Sequence, residues 1–124
     1  MASRLEMSSI MMENTHFNNG KEGCVVWITG LSGAGKTTIA KEVQKQLLDQ
    51  DIRSILLDGD LMREAMQDPH YGYDQDSRLM GAYRYSRFGK LLSSQGFHVL
   101  IATVSMFHEV RKWNRENLPN YFEI

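Results

Sequence analysis

A glycine-rich turn, set between an apolar run and an amphipathic stretch, constrains this chain more than any other feature. Gly30-Leu31-Ser32-Gly33-Ala34-Gly35-Lys36-Thr37 has the spacing G-x-x-x-x-G-K-[ST], in which successive backbone N–H groups curl around phosphate. Ahead of it, Cys24-Val25-Val26-Trp27-Ile28-Thr29 reads as a strand. Behind it, Ile39, Ala40, Val43 and Leu47 recur at helical spacing. At an average glycine usage of about 7%, the four specified positions coincide by chance in roughly one chain of this length in a few hundred. The flanking strand and helix make coincidence rarer still.

The chemistry of such a turn is specific. A helix N-terminus presents partial positive charge and unpaired N–H groups to an anion. Lys36 is placed to reach the β- and γ-phosphates of ATP, and the Thr37 hydroxyl to ligate Mg²⁺. Residues 30–37 and the adjacent Thr38 are the candidate nucleotide contacts.

The remaining order is strand and helix in alternation. Residues 53–57 predict a second strand, 61–67 a short helix, and 76–94 a longer helix ended by Gly96. Residues 97–104 predict a buried third strand, 109–117 a helix closed by Pro119, and 121–124 the start of a fourth strand. This alternation predicts an α/β fold: a mostly parallel sheet covered on both faces. Residues 1–22 read as a leader, flexible or loosely docked, and 23–124 as one domain. The chain stops inside a predicted strand, so a domain continuing beyond it, with its C-terminal part missing here, is the expectation.

Composition excludes little but is consistent. Of 124 residues, 42% are apolar and 23% charged, and the net charge is −1. Nothing in that balance points to nucleic acid or a membrane surface. No apolar run is long enough to span a bilayer. A single cysteine, Cys24, allows no internal disulfide, which fits a cytoplasmic setting.

A second constellation lies at the end of the second strand, Asp58-Gly59-Asp60. Ligands of open parallel sheets bind at the carboxyl ends of the strands. On a strand neighbouring the phosphate loop, one carboxylate could hold Mg²⁺ through water and the other accept a proton from an attacking hydroxyl. An isolated Asp-Gly-Asp is also an ordinary solvated turn. Arg63 comes next, on the first turn of the succeeding helix. Arg78, Arg84 and Arg87 lie on the long helix, where a solvated face is the usual fate of such residues. Tyr73 offers a stacking platform or an ordinary loop aromatic. Ser105 ends the third strand, as a substrate hydrogen bonder or a strand-end cap. The four histidines lack metal-ligand spacing, and Trp113 reads as a packing residue.

These residues together resemble the adenylylsulfate kinases, P-loop kinases that phosphorylate the 3′-hydroxyl of adenosine 5′-phosphosulfate with MgATP. The resemblance rests on residues 27–40, on Asp58-Gly59-Asp60-Leu61-Met62-Arg63 against D-G-D-x-x-R, and on Gly72-Tyr73 with Arg78. It implies a P-loop nucleotide kinase-like three-layer sandwich and possible homodimers. It implies Asp60 as catalytic base, Arg63, Tyr73 and Arg78 as contacts to an anionic small-molecule substrate, and Ser105 at the substrate site, as a catalytic residue or a hydrogen bonder. Asp58 and Lys36 complete the candidate set. Two substitutions depart from the family pattern. Gly81 stands where an asparagine is expected, and Ser105-Met106-Phe107 stands for S-P-Y. They leave open another hydroxyl acceptor, such as a sugar. The early end leaves open an ATP-binding fragment without catalysis.

Overall fold

Two strands of this chain are apolar almost throughout, and both lie in the middle of the sheet. The computed structural model describes residues 22–29, 35–67, 72, 74–103 and 107–124. Four strands alternate with four helices: β1 (Val25–Thr29), α1 (Lys36–Asp49), β2 (Ser54–Asp58), α2 (Gly59–Met66), α3 (Gln75–Ser94), β3 (His98–Thr103), α4 (His108–Asn117) and β4 (Tyr121–Glu123). The sheet order is β2-β3-β1-β4, and every pairing is parallel. Val25 pairs with Val99 and Thr29 with Thr103 across the two central strands. All six residues of β3 are buried, as parallel strands covered on both faces require.

Alternation along the strands sorts side chains into two layers. Val26, Ile28, Leu100 and Ala102 face α1, where Ala40, Val43 and Leu47 close the first cluster. Val25, Trp27, Val99 and Ile101 face the other way, against Ala82 and Tyr85 of α3 and Val110 of α4. Each fully buried aliphatic side chain contributes about 1.5–3 kcal/mol. These layers therefore hold the sheet edge on which the site is built.

The order of strands corrects one expectation. The phosphate loop and the Asp58–Asp60 turn are not on neighbouring strands, because β3 lies between β1 and β2. After β1 the chain enters α1 on one face, and after β3 it enters α4 on the other. Adjacent strands whose connections leave in opposite directions form the crevice where ligands of such sheets bind.

Helix ends explain the small differences in boundaries. α2 begins at Gly59 rather than Leu61, because Asp58 caps it: its carboxylate accepts from the Asp60 and Leu61 amides. Arg63 consequently falls in the last turn of α2 and not its first. α3 ends as its sequence predicts, with Gly96 at φ 91° and its amide on the Ser93 carbonyl.

Candidate active site

α1 starts directly after the glycine-rich turn. Its N-cap is Gly35, at φ 79° and ψ 16°, a left-handed conformation that only glycine adopts cheaply. The Gly35 carbonyl accepts the Ile39 amide at 2.9 Å, and the helix starts without a side-chain cap. The first N–H groups of any α-helix lack intrahelical acceptors and are the donors that suit an anion. Thr37 and Thr38 are exposed on this first turn. Gly30, Leu31, Ser32, Gly33 and Ala34, and the Lys36 side chain, lie outside the described residues.

One carboxylate organises the rest of the site. Asp58 is only 7% exposed, and both of its oxygens are engaged. Oδ1 accepts the Thr37 hydroxyl at 3.1 Å. Oδ2 accepts the Asp60 amide at 3.2 Å and the Leu61 amide at 3.4 Å. A buried carboxylate is tolerated only when hydrogen-bonded in this way. The helix N-terminus also favours its negative charge. Asp58 thus ties the first turn of α1 to the first turn of α2, across the end of β3.

Asp60 is exposed in the first turn of α2, beside that anchored carboxylate and accessible to a substrate. The hydroxyl of Tyr85, from α3, donates to the Gly59 carbonyl at 3.5 Å and steadies the same turn. Arg63 is half-buried, and its Nη1 donates to the Gly72 carbonyl at 3.0 Å. That bond links α2 to Gly72. Arg78 is exposed in the opening turns of α3, where its amide donates to the Asp74 carbonyl. Tyr73 and Ser105 lie outside the described residues.

The structure therefore joins Thr37, Asp58 and Asp60 directly and fastens Arg63 to Gly72. Two features were missed in the sequence. The Asp58 cap was signalled by an aspartate ahead of a helix with a second acid in its first turn. The Gly72 carbonyl, as a partner for Arg63, had no sequence signal. Among the described residues, no group of three or more His, Cys, Asp or Glu side chains could hold a metal ion. A hard cation here would rest on the Thr37 hydroxyl, phosphate oxygens and water, the pattern usual for Mg²⁺ with nucleotides.

Similarity to known proteins assigns the chain to a family. The family model for adenylylsulphate kinase matches residues 22–124. A cytidine diphosphoramidate kinase of Campylobacter jejuni is 42% identical over 100 residues, which cover 81% of this chain and 58% of that protein. An adenylyl-sulfate kinase of Pseudomonas aeruginosa is 39% identical over 102 residues, covering 81% and 52% respectively. The Mycobacterium tuberculosis APS kinase, solved with AMPPNP and APS, superposes with a TM-score of 0.74 at 33% identity. That superposition covers 83% of this chain and 61% of the other. The chain thus spans a little over half the length of the curated relatives it matches. With the match extending from Glu22 to the last residue, the chain belongs to the adenylylsulphate kinase family.

Proposed function

We propose that the protein transfers the γ-phosphoryl group of ATP to the 3′-hydroxyl of adenosine 5′-phosphosulfate, a step of sulfate assimilation, in the cytoplasm. The observation that carries this reading is Asp58, which holds the nucleotide-side threonine and the acceptor-side helix in one hydrogen-bonded unit. The Thr37 hydroxyl donates its hydrogen bond to Asp58, and the lone pairs of the threonine oxygen stay available to a cation, so the residues present fit Mg²⁺. When bound, Mg²⁺ supplies positive charge to the phosphate oxygens as negative charge redistributes among them. The α1 N-terminus and Lys36 bind the phosphates and neutralise the same charge. Asp60 accepts the proton of the acceptor hydroxyl, an exposed carboxylate on a fixed turn. Arg63 and Arg78 hold the acceptor's anionic groups, which guanidinium forks suit. Tyr73 stacks on its base, and Ser105 hydrogen-bonds it. A homodimer is the assembly this family resemblance favours.

A second acceptor is favoured by two observations. The Campylobacter jejuni relative is named for cytidine diphosphoramidate, and Gly81 replaces the expected asparagine. Gly81 is buried on α3, three residues after Arg78 and so beside it. Turnover by the full-length protein, followed as ADP release, separates the readings. Preference for adenylylsulfate supports the first. Preference for a cytidine diphosphate derivative overturns it in favour of the second. ATP-analogue binding with no turnover on either leaves a nucleotide-binding protein without this activity.

A further inference from the structure

Asp60 leaves the backbone from a single peptide unit, the one that joins it to Gly59. Such a unit is planar, so its C=O and N–H turn together. Here both polar ends are held. The Asp60 N–H donates to Oδ2 of Asp58 at 3.2 Å. The Gly59 C=O accepts from the Tyr85 hydroxyl at 3.5 Å. One partner stands at the end of β2 and the other on α3. With both ends held, the plane resists rotation, and the bond leading out of it sets the direction in which the Asp60 side chain departs.

Tyr85 is suited to this contact. It is 3% exposed, and it belongs to the apolar layer between the sheet and α3. A buried tyrosine keeps its ring among apolar neighbours and takes its hydroxyl to a polar group at their margin. That margin is the end of β3. A Cβ on Gly59 would lie 3.7 Å from the Ala102 carbonyl oxygen, 3.9 Å from the Tyr85 hydroxyl and 4.0 Å from Oγ1 of Thr103. Gly59 thus rests on the tip of β3 beside the hydroxyl. Arg78 lies one heptad before Tyr85 on the same helix, and a heptad returns to within about 20° of the same face. The helix that carries the acceptor-side arginine therefore also carries the hydroxyl.

We propose that Tyr85 is a positioning residue for Asp60, aligning its carboxylate through the Gly59–Asp60 peptide without touching substrate. The inference rests on Asp60 as the base. Tyr85→Phe removes the hydroxyl and keeps the ring. In the full-length protein with MgATP and adenylylsulfate, kcat per folded molecule is expected to fall on the order of tenfold, the scale of a small misplacement. KM for both substrates should stay within about twofold, since no substrate contact is lost. In an Asp60→Asn background, Tyr85→Phe is expected to add no further loss, because its effect passes through the carboxylate. A general structural role would lower turnover in both backgrounds. A large loss in Asp60→Asn with none in Tyr85→Phe overturns this inference alone. So does a Tyr85→Phe loss that persists undiminished in Asp60→Asn. Little loss in Asp60→Asn itself overturns the base assignment, and this inference with it.

Discussion

The edge of the sheet that holds Thr37, Asp58 and Asp60 and the outer surface shared by α3 and α4 are both rich in charged groups. They use them differently. At the edge, one buried carboxylate accepts three hydrogen bonds from two helices. On the outer surface, Arg87 and Lys90 lie about 6 Å from the ring of Trp113, which meets Tyr83 in a T-shaped contact. Arg84 reaches the Met80 sulfur. Burial and the nearby Glu109 carboxylate push the Tyr83 hydroxyl up from its usual range. The first arrangement fixes relative positions of elements; the second covers apolar surface with long side chains. Charged residues serve both places, and depth in the fold decides their role.

Substitutions should divide along the same line. The largest effect is expected from Asp60→Asn in the full-length protein, a loss of about 10²–10⁴ in kcat on removal of the proposed base, read by ADP release. Asp58→Ala comes second, destabilising the fold by about 2 kcal/mol through the lost cap and the lost Thr37 bond. Urea unfolding should show this as a lower midpoint at unchanged slope. Arg87→Gln, on the outer surface, should cost no more than about 0.5–1 kcal/mol and leave turnover unaltered. A drop in turnover as large as that of Asp60→Asn would erase the contrast between the two regions. The smallest effect concerns pH at the start of α3. There the Ser77 hydroxyl, then its amide, hold the Asp74 carboxyl below the ordinary value of 3.8. A depressed folded-state value means that the cap is intact above that range. Its contribution is lost as pH falls through the lowered value. An NMR titration of Asp74 should find its midpoint below 3.8, and a midpoint at or above it would contradict the cap.

Much of the fold was legible in the sequence. The apolar runs of β1 and β3 and the spacing of Ile39, Ala40, Val43 and Leu47 placed strands and helices to within a residue or two, because burial patterns are local. Strand order was not legible. The insertion of β3 between β1 and β2 comes from non-local packing that no period encodes. The Thr37–Asp58 bond spans 21 residues and depends on that order. α2 begins two residues before its apolar spacing predicts, because the Asp58 carboxylate caps it. That earlier start carries Arg63 into the last turn.

In the proposed site Asp58 serves both the nucleotide side and the acceptor side, and Asp60 serves one. Calorimetric titration of the full-length protein with a non-hydrolysable MgATP analogue, in Asp58→Ala beside Asp60→Asn, tests it most directly. A loss of affinity of about tenfold or more, equivalent to ~1.4 kcal/mol, is expected for Asp58→Ala, with none for Asp60→Asn. Unchanged affinity in Asp58→Ala, or an equal loss in both variants, would contradict it.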